Sequence, residues 1–492
     1  MGDRARWWAT AALLALATAV WALATPQMTG PDEADHSIRA AAAIRGHVLG
    51  PGRDLLGDPN VFAEVPVPEA YAGAFDVGVC FVDYPGVESG FGAAIERPCV
   101  PMGSGTRTVE GKTNQYRTQP TYHLLVGLGS LVPGSHGVYL MRLLSGLASA
   151  LLLATALGVA RRDRSGLLPI AVLATTTPVV VWLAGQVNAG GLEAAAAIAA
   201  WTATVALVGR PGEVDGRDVR RAGAALCLLT LTRGLSPAFA AVAVALTVLA
   251  RPAAARQLWA RRDVRRWSAL LAGSVALSVA WLALVTLRYP LAARPGTGLA
   301  HAIGDAWYFT KQTVAVFGTN DIVLPSWITV GWLVVVAAVV VRAWPGLDAR
   351  ARLAVAAVAV AVVALNTSAE GFSFPPIGYF WQGRYSLPLV AGLPILAAGL
   401  RTRDDETARE PIARPAAAVL ALLHAAALAG ALKHFAGRGD GTLGYLDAFR
   451  HPRWQPPLLP IVAWPLVLAA AVYVATEVQR RTQPPPSRSR PS

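Results

Sequence analysis

Apolar runs separated by short charged turns dominate the chain from end to end. Stretches long enough to approach a bilayer crossing fall at 7–25, 137–160, 167–185, 189–208, 268–287, 326–341, 353–366, 385–400, 415–431 and 458–476. A spanning helix needs ~20 apolar residues, and lipid leaves the backbone few other ways to satisfy its hydrogen bonds. The pattern predicts an all-α polytopic membrane protein. One further run, 222–250, is flanked by arginines on both sides and interrupted by Arg233-Gly234-Leu235-Ser236-Pro237. It reads as two short helices meeting at a polar break, which brings the expected bundle to about twelve helices. Arg233 is then either a cavity residue or an arginine snorkelling from a helix end.

The polar stretches divide by side. With the N-terminus inside, 7–25 serves as an uncleaved first helix, its Trp7-Trp8 and Trp21 suited to the interfaces. It delivers a long first extracytoplasmic loop, 26–136. Within that loop 36–47 should be helical, capped by Asp32, Glu33 or Asp35, and 121–132 is too short to cross. Other outer loops fall at 288–325, 367–384 and 432–457, with a hairpin tip at Asn188. The whole of 1–476 reads as one transmembrane domain, followed by a disordered cytoplasmic tail, 477–492.

Composition agrees. Hydrophobic residues form 54% of the 492 and charged residues 15%, with a mean hydropathy of +0.44. A soluble domain would carry roughly a quarter charged residues. The net charge of +13 could suggest nucleic acid, but the arginines cluster in short turns such as 161–164, 217–221, 256–266 and 401–414. That is the positive-inside pattern, and it excludes a nucleic-acid reading. Cys80 and Cys99 share the first outer loop, where export would let them pair; two free thiols are the alternative. No nucleotide-binding glycine loop and no metal-type Cys/His spacing occurs.

The chemistry concentrates on the outer side. Gly30-Pro31-Asp32-Glu33-Ala34-Asp35-His36 places three carboxylates and an imidazole where the chain leaves the membrane. One carboxylate would suffice to cap a helix; three suggest a general base with orienting groups. Trp381-Gln382-Gly383-Arg384-Tyr385 supplies an arginine able to grip a phosphate in bidentate fashion. Lys311 is a second basic candidate in an outer loop. Arg142, inside an apolar run, is a costly charge that suggests function. His123 reads as a polar interface residue.

Pro31-Asp32-Glu33 with His36, Phe317-Gly318 with Leu324-Pro325, and Gln382-Gly383-Arg384-Tyr385 with Pro388 resemble a bacterial polytopic family of unknown function. That family is similar to the GT-C glycosyltransferase superfamily, and the resemblance spans about 7–476. It implies a plasma-membrane transferase that moves a sugar from a polyprenyl-phosphate donor to a glycan or lipid acceptor on the outer face, with inversion. Asp32 would deprotonate the acceptor, with Glu33 as neighbour or alternate. Arg384 first and Lys311 second would stabilise the departing phosphate, with Gln382, His36, Arg233 and Tyr385 lining the site. The resemblance leaves a divalent metal open. Asn188-Ala189-Gly190-Gly191 departs from the acidic residue expected near the hairpin tip. Rival readings are a flippase for lipid-linked sugars and a non-catalytic envelope scaffold.

Overall fold

The protein is described by a computed structural model covering residues 2–49, 63–81, 99–163, 165–286, 298–373, 381–402, 411–437 and 444–480. The expected tail beyond 480 and the Phe374-Pro375-Pro376 segment lie outside the described residues.

The order of elements follows the apolar pattern. Helix α1 (Asp3–Ala24) leads to α2 (Glu33–Ile44), strand β1 (Ala63–Pro68), strand β2 (Thr108–Thr113) and α3 (Pro120–Gly127). Helix α4 (Gly134–Ala160) is followed by α5 (Leu167–Thr175) and α6 (Pro178–Ala184), which meet at a 61° bend. Pro178 at the first position of α6 and Thr177, whose hydroxyl accepts Val180 N–H, set that bend. Then come α7 (Ala189–Gly209), α8 (Gly216–Thr230), α9 (Ser236–Ala250), α10 (Pro252–Trp259) and α11 (Arg262–Trp281). The last third holds α12 (Ala306–Gln312), the β3–β4 ladder (Val316–Phe317 and Ile322–Val323), α13 (Ser326–Ala343), α14 (Ala349–Ser373), a tight turn Gly383–Ser386, α15 (Gly392–Gly399), α16 (Ala413–Gly437) and α17 (Ala463–Arg480).

The fold is an all-α membrane bundle. Among the described residues seven helices are long and apolar enough to cross a bilayer, or nine if each bent pair counts as one span. The expected twelve are thus not all full spans. At three expected positions stand α8, with 15 residues, α15, with 8, and α17, whose apolar part is Ala463–Val478. The break expected at Arg233 is present, between α8 and α9.

Helix α7 is the hub. It packs against α4, α8, α9 and α15, and 89% of its most apolar window is buried. A helix apolar on all sides belongs in such a place. Its alanines let neighbours approach closely; a Cβ on Gly191 would lie 2.5 Å from Ala184 N across the hairpin. Helix α11, with only 11% of its window buried, presents apolar side chains to lipid.

A second, smaller core lies over one end of the bundle. Strands β1 and β2 pair antiparallel, Ala63 opposite Thr113 and Pro68 opposite Thr108, and α2 packs on this ladder and on α3. Ile38, Val65, Val67, Tyr71, Tyr122 and Met141 fill the space between them. The Cys80–Cys99 disulfide forms, with Cα atoms 5.1 Å apart. Next to it, His434 of α16 meets the carbonyl of Phe81 at 3.1 Å.

Candidate active site

Helix α2 is pinned at its first turn. Both carboxylate oxygens of Glu33 accept from Arg142 at 2.7 Å (Oε1 from Nε, Oε2 from Nη2), and Glu33 also accepts N–H groups of Val187 (3.1 Å) and Gly30 (3.3 Å). Both partners are 0% exposed. Arg142 spends its other donors on the carbonyls of Ala22 (2.8 Å), Thr25 and Pro26 (both 2.7 Å), the open end of α1. Glu33 therefore departs from its expected place as base or alternate. Its lone pairs are spoken for, and the pair acts as a clamp joining α1, α2, α4 and the α6–α7 turn. Asn188 adds a second tie, donating Nδ2–H to Pro31 O at 2.7 Å while capping α7 at Gly190 N–H.

This clamp leaves Asp32 displayed. It is exposed, stands at the N-cap position of α2 with φ 53° and ψ 20°, and its side chain makes no capping bond. The capping expectation fails for Asp35 as well, whose carboxylate turns away to accept Asn114 N–H at 2.8 Å beside β2. Burial pushes the Asp35 carboxyl up to about 7; the Asn114 N–H and the Thr113 hydroxyl pull against that shift, while the charge of nearby Asp32 adds to it.

A stability prediction follows for Asp35. Folded Asp35 keeps its proton to about pH 7, whereas an unfolded aspartate releases it near pH ~4. Its contribution is complete below the unfolded value and is lost as the pH rises through about 7. Asp35→Asn should consequently lose less thermal stability than the native chain between pH ~5 and pH ~8. Melting curves in one detergent at the two pH values measure this, and identical losses in both proteins would count against it.

His36, one helical step further on, stacks on His123 of α3 with ring centroids 5.2 Å apart and an Nδ1 to Nε2 distance of 2.9 Å. Tyr122 closes one edge of His36, at 6.2 Å. Burial, then His123, then the guanidinium groups of Arg233 and Arg384 hold His36 well below the usual histidine range. His123 is pulled down to about 3 by burial and by Arg39, against the opposing pull of the Gln119 carbonyl. Burial thus disfavours the charged form of both rings.

Two guanidinium groups from distant parts of the chain face this end of α2. Arg233, at the α8–α9 break, pairs with Glu193 of α7 at 3.2 Å, and Ser236 donates its hydroxyl to the same carboxylate at 2.6 Å. The Arg233 side chain is 30% exposed and lies within electrostatic reach of Asp32. Arg384, in the Gly383–Ser386 turn, is 6% exposed and donates Nη1–H to Asn320 Oδ1 at 3.0 Å. Among the described residues its Nε and Nη2 donate to no protein group. Tyr385 lies between the two cations, its ring centroid 4.8 Å from the Arg233 guanidinium carbon and 5.7 Å from that of Arg384.

The turn that carries Arg384 is held by neighbours. Gln312 Oε1 accepts Gly383 N–H at 2.5 Å, and Glu370 accepts Trp381 N–H at 2.9 Å. Trp381 meets Tyr385 edge-on at 5.4 Å. Gln382 contributes its carbonyl to Tyr385 N–H at 2.9 Å, while its buried Oε1 has no partner among the described residues. Lys311 is half-buried on α12, and its ammonium joins no ion pair or hydrogen bond among the described residues. Of the expected set, Asp32, His36, Arg233, Arg384 and Tyr385 thus converge, whereas Glu33 is tied elsewhere.

Glu193 was missed in the sequence, whereas Gln312 was read beside Lys311 as a phosphate or acceptor contact or a solvated loop residue. Glu193 had a signal: a carboxylate within the apolar run 189–208 is costly and calls for a partner. The bond that Gln312 makes to Gly383 had no local signal, because the two are 71 residues apart. No group of three or more His, Cys, Asp or Glu among the described residues is placed to share a metal ion.

Fold and site together define a polytopic all-α membrane protein with a polar cluster at one end of its bundle. Residues 103–393 match the family described as predicted membrane protein (DUF2142), and the chain belongs to that family. The matched stretch contains Arg142, Arg233, Arg384 and Tyr385; Asp32 precedes it. No curated protein matches the chain. Among solved structures it is similar to ArnT from Cupriavidus metallidurans in the apo state, at 16% identity over 95% of this chain and 75% of that one, with a TM-score of 0.44. It is likewise similar to ArnT from the same organism bound to undecaprenyl phosphate, at 17% identity over 95% and 76%, with a TM-score of 0.42.

Proposed function

We propose that this protein is a GT-C-type membrane glycosyltransferase that moves a sugar from a polyprenyl-phosphate donor to a glycan or lipid acceptor on the outer face of the plasma membrane, with inversion. The observation that carries this reading is the placement of Arg233 and Arg384 on either side of Tyr385, both within electrostatic reach of His36, with Asp32 within electrostatic reach of Arg233. A reaction that expels a phosphate needs fixed positive charge where the anion departs. It also needs a base within reach of the attacking hydroxyl.

Asp32 is the carboxylate suited to that task, since Glu33 is clamped and Asp35 is buried on β2. Ionised Asp32 takes the acceptor's hydroxyl proton. The freed oxygen forms a bond to the anomeric carbon as the bond from that carbon to the phosphate oxygen breaks. Polyprenyl phosphate leaves as an anion toward Arg384, whose Nε–H and Nη2–H donate to no other group among the described residues and would donate to it, with Arg233 as the second cation. His36 orients the acceptor by hydrogen bonding. Lys311 is proposed to serve the phosphate only from the rim. No divalent metal is assigned.

Purified protein in vesicles, given radiolabelled polyprenyl-phosphate sugars, should transfer label to an envelope acceptor. Asp32→Asn should reduce transfer ~10²–10⁴-fold while donor binding persists. Arg384→Ala should reduce it by ~10²-fold or more and weaken donor binding as well. Near-native transfer by both variants would end this assignment. The broken α8–α9 pair favours the flippase as a second reading; sugar lipid that crosses the bilayer without any transfer would support that instead.

A further inference from the structure

The opposite end of the bundle carries a second concentration of charge. Helix α9 stops at Arg251 and the chain turns 109° into α10. If α9 runs across the bilayer, α10 lies near its plane. The start of α8, all of α10 and the start of α11 meet there: α10 packs on α7 and α11, and Arg261 donates Nη1–H to Val214 O at 2.7 Å just before α8. Arg217 and Arg220 of α8, Arg256 of α10, and Arg262 and Arg266 of α11 are all exposed. None of their side chains has a protein partner among the described residues. Trp259, three residues after Arg256 on α10, is 57% exposed.

Three acids in the same place are engaged: Asp263 is held by Arg261 at 2.8 Å, Asp218 by Arg162 at 2.6 Å and Arg221 at 3.3 Å, and Asp215 caps α8, accepting the N–H groups of Arg217 (2.8 Å) and Asp218 (2.9 Å). Arg265 closes the elbow from within, donating to the carbonyls of Trp259 (3.1 Å) and Ala260 (2.9 Å). What projects outward is therefore five guanidinium groups without a side-chain partner among the described residues, on α8, α10 and α11, and one indole on α10. An indole prefers the headgroup level of a membrane. Each arginine near an anionic surface contributes ~1 kcal/mol of attraction.

We propose that this elbow binds anionic phospholipid headgroups of the leaflet opposite the candidate active site, and that the bound lipids brace the α8–α9 hairpin. Both legs of that hairpin stand on the patch, and Arg233 sits at its far end. Setting topology during insertion needs only the number of arginines; the inference here is of retained, charge-selective lipid on the folded protein. It does not depend on the transferase reading.

The test uses the full chain in a neutral detergent. Protein is equilibrated with phosphatidylcholine and phosphatidylglycerol of the same acyl composition, and retained lipid is counted by native mass spectrometry beside a melting curve. The native protein should retain phosphatidylglycerol at least threefold over phosphatidylcholine and melt higher with it. The Arg256→Gln, Arg262→Gln, Arg266→Gln triple variant should lose that preference while keeping the native elution volume and the native melting point in phosphatidylcholine. Equal retention of the two lipids by the native protein, or an unchanged preference in the triple variant, would overturn the proposal. So would equal protection by free glycerol 3-phosphate, which would mark a soluble-phosphate site, or by a short RNA, which would mark a polyanion surface. If the triple variant fails to fold, Arg217→Gln with Arg220→Gln on the other leg supplies the same comparison.

Discussion

Replacing Arg142 with alanine is expected to remove most of the folded protein. The substitution removes the two Arg142 bonds from a Glu33 carboxylate that is 0% exposed, leaving it only the N–H groups of Val187 and Gly30, and it leaves the carbonyls of Ala22, Thr25 and Pro26 without that donor. Breaking a fully buried ion pair from one side typically costs ~3–5 kcal/mol, a large share of the margin by which a protein stays folded. Glu33→Ala should cost a similar amount, since it strands the guanidinium instead. The Arg142→Met, Glu33→Met double variant should be less damaged than the sum of the two single losses, because neither charge remains buried alone. Thermal unfolding followed by fluorescence-detected size exclusion reads all four proteins on one scale. An Arg142→Ala protein within about 1 kcal/mol of the native chain would show that the clamp is dispensable.

Gly383→Ala should produce the second large effect, and a more selective one. An added Cβ would lie 1.9 Å from Phe309 O, 2.6 Å from its carbonyl carbon and 2.7 Å from its Cα. All three are backbone atoms of α12, so no side chain can swing aside. The turn must move, and with it go the Gln312–Gly383 hydrogen bond and the setting of Arg384 on Asn320. Overpacking of this kind costs ~1–3 kcal/mol. A displaced charge costs more in function than in stability, since ~1 Å of misplacement can reduce a rate by ~10². The expected outcome is a protein that still elutes as native but binds polyprenyl phosphate at least tenfold more weakly. Isothermal binding measurements beside a melting curve separate the two effects, and native affinity in the alanine variant would show that the turn has room to spare.

Much of the architecture was legible in the chain because membrane helices announce themselves through local composition. The runs at 326–341, 353–366 and 415–431 fall inside α13, α14 and α16, and the polar break at Arg233 separates two helices as its glycine, serine and proline indicate. Helix α2 runs over 33–44 instead of 36–47, since Asp32 takes a left-handed turn that starts the helix early. The two charged motifs were visible for the same local reason. Their neighbours were not. Glu33 and Arg142 are 109 residues apart, and His36 and His123 are 87 apart. In the first case a conspicuous acid proved to be the clamp. In the second a histidine read as an interface residue proved to be the partner of the one in the acidic motif. Which of three adjacent carboxylates is displayed depends on where α4 and β2 put their donors, and no window of sequence contains that information.

The backbone at Asp32 bears on how its chemistry can be interrogated. A non-glycine residue at φ 53° is strained by its own Cβ, and aspartate and asparagine bear that twist better than other side chains do. Alanine at this position would erase a charge and also pull the segment toward a right-handed path, dragging the start of α2 with it. Asparagine keeps the path and deletes only the charge, and glycine relaxes the path altogether, so a deficit shared by all three reports the missing carboxylate, whereas one confined to alanine reports geometry.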